Sequence, residues 1–268
     1  MFKAQKKSVS VYRQTVHRLE ATEGMLKALN TDGFALIPGV LTPSDIHEIR
    51  GAIDRLTPFH WDVTGEVDHY KCVFNRDPLW LRYLDVPGII ELAEASLGQD
   101  CHIIGQTAWR CHPGFIGVGV HADYLVMELP EEWLSDPRFE LPMQICTVHF
   151  YVNDITEDLC PTKVIPGSHK AGRYAQRRDE TSWRGKEAEA VLCKAGDALF
   201  FRSELWHSGS ANVTPDQTRY LLQVHYSRRM VAQKFSPYIE WRFNPEVISA
   251  CTARQRRLLG DHVQAAYD

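Results

Sequence analysis

Residues 143–152 read MQICTVHFYV, and this short apolar run decides the fold class. It is rich in β-branched and aromatic residues and is too short for a typical helix, which favours a buried strand. Similar runs, each bounded by Gly, Pro or Asp, recur on both sides: CHIIGQTAW (101–109), TKVIPGSH (162–169), AEAVLCKAGDALFF (188–201) and RYLLQVHYS (219–227). Several short strands separated by turn residues predict an all-β sandwich or barrel.

Helix signals flank this β-rich part. Upstream, Phe34–Ile37 predicts a strand, and Thr42 followed by Pro43 predicts the N-cap and first residue of a helix. A second helix is predicted in VPGIIELAEASLG, with Gly98 as its stop. We therefore predict one mainly β domain over residues 1–268 with flanking helices. It comprises a helix-rich part over about 1–100, a β-barrel core over about 101–230 and C-terminal helices over about 231–268.

The overall composition excludes several classes of protein. A formal net charge of −4 gives no electrostatic footprint for nucleic acid. The seven cysteines form no C-x-x-C pair, which favours reduced thiols in a cytoplasmic protein. No apolar stretch is long enough to span a membrane, and no apolar signal segment follows the basic first residues. We expect a small-molecule substrate rather than a nucleic acid or a membrane as the partner.

Residues 117–130 read GVGVHADYLVMELP and contain a candidate pair of metal ligands. Residues i and i+2 of an extended chain point to one side, so His121 and Asp123 can bind the same ion. The same spacing occurs in FHWDV, with His60 and Asp62, so spacing alone identifies no site. The second pair follows a predicted helix end and lacks a matching partner on a later strand. We interpret His60 and Asp62 as loop residues.

A third ligand and an anion site follow further along the chain. His207, in LFFRSELWHSGSAN, comes after another predicted strand. Two histidines and one carboxylate form the facial triad of non-haem Fe(II) oxygenases, which leaves three positions open. Arg219 begins the apolar strand RYLLQVHYS, where a buried guanidinium needs an anion and suits a carboxylate. 2-Oxoglutarate would chelate the iron and reach Arg219 with its distal carboxylate.

The order of these motifs resembles the phytanoyl-CoA dioxygenase family of Fe(II)/2-oxoglutarate oxygenases. The resemblance rests on four stretches: DGFALIPGVLTPSDI (32–46), His-Ala-Asp (121–123), NDITEDLCPTKVIPGSHK (153–170) and AGDALFF with the following LWHSGSANVTPDQTR (195–219). It implies a double-stranded β-helix core of the jelly-roll or cupin type. It also implies that iron is held by His121, Asp123 and His207, and that 2-oxoglutarate is held by Arg219, Thr162 and Gln106. No catalytic residue beyond the metal ligands is implied.

The substrate side of the site is less determined by the sequence. Tyr124 and Trp206 adjoin metal ligands, so each either contacts substrate or packs in the core. Two strand histidines, His149 and His225, either line the cavity or are hydrogen-bonded within the barrel. Aromatic residues near the motifs favour a hydrophobic pocket: Trp109, Phe115, Tyr124, Phe150, Tyr151 and Trp206.

Two departures from the family pattern bear on the same side of the site. Leu159-Cys160 stands where the family usually has Asn-Gly, and the residues over 130–142 resemble an insertion. Both are expected at the rim of the active site, where they affect which substrate is accepted and leave the metal centre unchanged.

The resemblance predicts an enzyme that uses O2 to hydroxylate an unactivated C–H bond of a small hydrophobic metabolite or natural-product intermediate. Succinate and CO2 would be released. Related halogenases replace the carboxylate ligand with a small residue, so Asp123 argues against halogenation. One alternative is a metalloenzyme on the same fold that does not use 2-oxoglutarate. The other is a non-catalytic cupin-like barrel that binds a ligand or partner, in which the three ligand side chains would fail to converge.

Overall fold

The computed structural model describes residues 22–136, 138–177, 181–235 and 241–263. Its strands, in chain order, are β1 (Phe34–Ile37), β2 (Val67–Lys71), β3 (His102–Cys111), β4 (Val118–His121), β5 (Ile145–Tyr151), β6 (Thr162–Val164), β7 (Ser182–Trp183), β8 (Lys186–Glu187), β9 (Glu189–Ala190), β10 (Ala198–Arg202), β11 (His207–Gly209) and β12 (Arg219–Ser227). Its α-helices are α1 (22–31), α2 (Pro43–Asp54), α3 (Ile89–Leu97), α4 (Glu131–Ser135), α5 (Pro245–Ala250) and α6 (Ala253–Leu258). Three short 3₁₀ helices cover Val73–Asn75, Pro78–Tyr83 and Ser168–Ala171.

Two antiparallel sheets form the barrel. The larger has the strand order β1-β10-β5-β12-β3-β2, and the smaller has the order β4-β11-β6-β9. Side chains from both sheets share one apolar cluster, in which Val164 of the smaller sheet joins Leu199, Phe201 and Leu221 of the larger. This is the predicted double-stranded β-helix, and the space between the sheets is where a ligand can bind.

Strand β5 shows how the barrel separates its two faces. All seven of its residues are buried, because one face packs on helices and the other faces the interior. Cys146, Val148 and Phe150 belong to the large apolar core on the outer face. The intervening Thr147 and Tyr151 face inward and take part in the polar contacts of the site described below.

The N-terminal part contributes to the barrel as well as to its cover. β1 and β2 form the two edges of the larger sheet, pairing with β10 and β3. The predicted strand Phe34–Ile37 and the helix start at Thr42 are confirmed, with the Thr42 side chain and Asp45 forming a capping box. Helices α2 and α3 bury their apolar faces in the core outside the larger sheet. The helix-rich part is therefore integrated with the sheet rather than separate from it.

The C-terminal residues add two short helices to the same outer core. α6 begins at a capping box between Thr252 and Gln255, and Leu258 is fully buried. The segment over 130–142 contains the short helix α4. Within the described ranges, no helix has the length and apolar character needed to cross a membrane.

Candidate metal centre

The three predicted ligands converge at one edge of the smaller sheet. His121 of β4 lies directly opposite His207 of β11, and Asp123 follows two residues after His121. Nε2 of His207 is 3.5 Å and Nε2 of His121 is 3.7 Å from Oδ1 of Asp123. One ligand atom from each residue lies within 4.8 Å of the other two, as binding of a single ion requires. The non-catalytic alternative predicted no such convergence, and it is wrong on this point.

Backbone carbonyl groups fix both histidine rings in the orientation that a metal needs. Nδ1 of His121 donates to the carbonyl of Gly119 at 2.8 Å, and Nδ1 of His207 donates to that of Leu205 at 2.9 Å. A carbonyl oxygen only accepts, so each Nδ1 carries a proton and Nε2 is the ring nitrogen that can coordinate an ion. Both Nε2 atoms are presented toward Asp123; burial acts to lower the pKa of His207, but the Asp123 carboxylate raises it above its usual value. Two imidazoles and one carboxylate fit Fe(II).

Asp123 is held by a hydroxyl on the opposite sheet. The Thr147 hydroxyl of β5 donates to Oδ2 of Asp123 at 2.8 Å, and Ser203 and His225 contact the same hydroxyl at 3.2 and 3.0 Å. Burial works to raise the pKa of Asp123, but His207, His225 and Thr147 together hold it well below its usual range. The carboxylate is thus ionised, with Oδ2 occupied by a donor and Oδ1 facing the two imidazoles.

The other histidines inside the barrel are neutral. Burial is the main cause that lowers the pKa of His225 to about 4, and it also takes the pKa of His149 well below its usual value. Both are hydrogen-bonded and both face the interior, so each histidine has both of the roles that the sequence allowed for it. His149 connects to Gln223 at 2.7 Å, and Gln223 accepts from the Trp109 indole at 2.6 Å.

Arg219 occupies the far end of the interior. It is 5% exposed, and its Nη2 donates to the Thr162 hydroxyl at 3.3 Å. Tyr151 also donates to that hydroxyl, at 3.0 Å. Among the described residues no carboxylate pairs with Arg219, and its buried Nε has no hydrogen-bond partner. A buried guanidinium without an anion is costly, so this end of the site fits the distal carboxylate of 2-oxoglutarate.

Gln106 does not reach this site. It is fully buried, and its amide donates to the backbone carbonyl of Trp80 in the outer core at 3.2 Å. Its neighbour Ala108 on the same face of β3 belongs to that core. The predicted contact with the cosubstrate is corrected, because Gln106 lies on the face of β3 that points away from the metal ligands.

Of the two predicted substrate contacts, only Tyr124 is at the open side of the centre. It is 37% exposed, whereas Trp206 is completely buried. Trp206 packs with Ala122 and Ile165 behind the metal ligands, and its indole donates to the Arg173 carbonyl at 3.0 Å. The prediction for Trp206 is corrected in favour of the packing role that the sequence also allowed.

Cys160 borders the cosubstrate end rather than the rim. Its Sγ is 4.0 Å from Nη1 of Arg219, and its backbone has a φ of 50°. Glycine adopts this left-handed conformation at little cost, which explains why the family pattern has Gly at this position. The departure at Leu159-Cys160 therefore touches the proposed carboxylate site, contrary to the expectation from the sequence.

The second His-x-Asp pair lies in a loop, as predicted. Asp62 accepts from Nη2 of Arg76 at 2.7 Å and from the backbone N–H groups of Phe59 and Lys71. His60 is exposed and stacks edge-on with Trp61. With its carboxylate already saturated by donors, this pair offers no metal site.

Sequence reasoning missed Thr147, which donates to Asp123, and Ser203, which contacts the Thr147 hydroxyl. It also missed Thr107 and Gln223, which are hydrogen-bonded to each other and to the Trp109 indole. A signal was present in β5 and β12, because polar residues share one face of these otherwise apolar strands. In β5 these are Thr147 and His149, and in β12 they are Arg219, Gln223 and His225. A period of two places such residues on one face of a strand.

Comparison with known families agrees with this geometry. Residues 29–220 match the model of the phytanoyl-CoA dioxygenase family. The chain belongs to this family. It is a 2-oxoglutarate-dependent non-haem iron dioxygenase, whose family cofactors, iron and 2-oxoglutarate, suit the three ligand side chains and the buried Arg219, which has no carboxylate partner among the described residues.

Two named relatives are distant in sequence, but their alignments cover most of this chain. A dioxygenase of Aspergillus fumigatus, af480, is 27% identical over 80% of this chain and 68% of its own length. An ectoine dioxygenase of Nocardia farcinica is 25% identical over 73% of this chain and 74% of its own length.

Solved structures of similar shape confirm the fold. HygX of Streptomyces hygroscopicus, crystallised with nickel and 2-oxoglutarate, has a TM-score of 0.64 at 17% identity and covers 78% of this chain and 88% of its own. The epimerase SnoN, crystallised with Fe3+ and α-ketoglutarate, has a TM-score of 0.62 at 18% identity and covers 80% of this chain and 86% of its own.

Proposed function

We propose that this dioxygenase hydroxylates an unactivated C–H bond of a small molecule, with His121, Asp123 and His207 as the iron ligands. The observation that carries the proposal is the convergence of the three ligand atoms within 4.8 Å. Arg219 and Thr162 would bind the distal carboxylate of 2-oxoglutarate at the far end of the same interior. The reaction would convert substrate, O2 and 2-oxoglutarate into hydroxylated product, succinate and CO2.

The bound iron and 2-oxoglutarate would supply the oxidising chemistry. The chain's own residues hold and orient the parts. The carbonyl groups of Gly119 and Leu205 hold each ring by its Nδ1–H so that Nε2 would face the iron, and the Thr147 hydroxyl donates to one oxygen of Asp123. Phe201 packs edge-on against His207, with ring centroids 4.9 Å apart, and provides an apolar surface beside this ligand.

The proposed substrate is a small metabolite or natural-product intermediate. Two of the similar structures contain natural-product ligands. SnoN was crystallised with a nogalamycin compound and HygX with hygromycin B. Of the aromatic residues expected to line a hydrophobic pocket, Phe150 and Trp206 instead belong to packed clusters outside the interior. Trp109 lies on the inner face of β3 and provides apolar surface there.

Anaerobic titration with Fe(II) and 2-oxoglutarate tests the proposal. We expect wild type to give the weak visible charge-transfer band of the chelate, and His207→Ala to lose it. Arg219→Met should weaken 2-oxoglutarate binding by about tenfold or more, since a charge-assisted pair contributes ~1.5–3 kcal/mol. The matched control is Arg138→Met, at an exposed arginine that pairs with Asp136. Absence of the band in wild type, or an undiminished band in His207→Ala, contradicts the assignment.

A further inference from the structure

Lys234 lies at the solvent-facing side of the metal centre. Its backbone N–H donates to the carbonyl of Ile104 in β3 at 3.2 Å, which anchors the segment after β12. Its ammonium is 5.2 Å from the ring centroid of Tyr124, the residue directly after Asp123. The His121 side chain is 40% exposed, so the metal ligands can be reached from solvent.

The contact with Tyr124 places the ammonium of Lys234 near the metal ligands, since Tyr124 follows Asp123 directly in the chain. Burial lowers the pKa of Lys234, and the Asp123 carboxylate acts in the opposite direction. Within the part of the chain that the structure describes, no carboxylate forms an ion pair with it.

A second feature, at the pairing of β2 with β3, also lacks a partner. The His69 ring of β2 stacks on the Trp109 indole of β3, with centroids 3.7 Å apart and an interplanar angle of 13°. Nε2 of His69 is buried and has no hydrogen-bond partner among the described residues. Burial, Lys71 and His225 take the pKa of His69 to about 3, so the ring is neutral. An unpaired buried ring nitrogen costs free energy unless a ligand pairs with it.

Since no described carboxylate neutralises the ammonium of Lys234, a positive charge remains beside Tyr124. A ligand with one negative charge complements it.

We propose that the primary substrate carries a carboxylate, which Lys234 binds while the rest of the molecule lies against the Trp109–His69 stack. This inference rests on the proposed function and adds the chemical class of the substrate. The aromatic stack contacts the apolar part of the substrate, and Lys234 binds its carboxylate. Lys234 is thus the residue that selects acids over neutral molecules of the same shape.

The test compares matched acids and amides on the protein loaded with Fe(II) and 2-oxoglutarate without O2. The probes are 3-phenylpropanoate and octanoate, each against its primary amide, with binding measured by calorimetry. We expect wild type to bind the acids about tenfold or more tightly than the amides. Lys234→Gln should remove this preference, and Lys234→Arg should retain most of it. The matched control Lys194→Gln changes an exposed lysine paired with Asp154 and should behave as wild type.

The charge-transfer band of the iron chelate is recorded in the same samples, because it does not depend on the substrate. Absence of the band in wild type contradicts the proposed function. If the band forms but wild type binds no acid, or binds acid and amide equally, the role of Lys234 is overturned. An acid preference that survives in Lys234→Gln overturns it as well.

Discussion

His121-Ala-Asp123 and His60-Trp-Asp62 have the same spacing, but their carboxylates meet different partners. Both oxygens of Asp62 lie within 2.8 Å of Nη2 of Arg76, and two backbone N–H groups also donate to them. Asp123 receives one hydroxyl donor on Oδ2, and its Oδ1 faces two imidazole nitrogens. A carboxylate saturated by donors has no lone pair left for a metal, so the surroundings decide what the spacing can do.

The largest expected difference between the two pairs is in iron affinity. Asp123→Asn should weaken Fe(II) binding by more than about 100-fold, because loss of a direct ligand exceeds the ~10–100-fold cost of losing an outer partner. Asp62→Asn should leave Fe(II) binding unchanged. Anaerobic Fe(II) titration of both variants measures this, and equal losses in the two would remove the distinction.

Asp62→Asn should instead destabilise the fold. The side chains of Arg76 and Asp62 are 7% and 0% exposed, and removing the negative charge leaves the buried guanidinium uncompensated. Breaking such a pair costs ~3–5 kcal/mol of unfolding free energy. Urea unfolding of wild type and Asp62→Asn without metal provides the measurement. A loss smaller than ~1 kcal/mol would contradict the structural role given to Asp62.

A smaller effect is expected from the hydroxyl that orients Asp123. Thr147→Val keeps the shape of the side chain and removes the donor to Oδ2, so Fe(II) affinity should fall by ~10–100-fold. Thr147→Ser restores the hydroxyl and should recover most of the affinity. If Thr147→Val and Thr147→Ser bind iron equally well, the hydrogen bond does not position the carboxylate.

Asp62 should also contribute to the pH dependence of stability. Burial would raise the pKa of Asp62, but the N–H groups of Phe59 and Lys71 and the guanidinium of Arg76 lower it. The folded pKa lies below the unfolded value of about 3.9, so its stabilisation is present above that pH. It is lost as the pH falls through the folded pKa. Acid unfolding below about pH 4 should therefore be steeper in wild type than in Asp62→Asn.

The smallest effect concerns Gln106, which the sequence placed at the cosubstrate. Because its amide faces Trp80 in the outer core, Gln106→Leu should leave the KM for 2-oxoglutarate within about twofold of wild type. Arg219→Met in the same assay provides the positive comparison. A KM raised as much by Gln106→Leu as by Arg219→Met would return Gln106 to the site.

The sequence predicted the strands and ligands well because both depend on local patterns. Phe34–Ile37 and Arg219–Ser227 have the bounds of their apolar runs, and His121 and Asp123 share a face through the period of two. It failed for Gln106 because Gln106 and Thr107 are adjacent polar residues on opposite faces of β3, and their residue types do not tell which of them points inward. The prediction for Trp206 failed because an aromatic residue beside a metal ligand can point to either face.

The sequence by itself determined the β class, the family and the types of residue available for metal and carboxylate binding. Only the tertiary structure decided which of them meet. Thr147 reaches Asp123, and Arg219 reaches Thr162, across strands far apart in the chain. Register fixes these contacts, because a shift of one residue moves every side chain of a strand to the opposite face. Register is set by pairing among many strands at once, so it cannot be predicted from any single stretch of sequence.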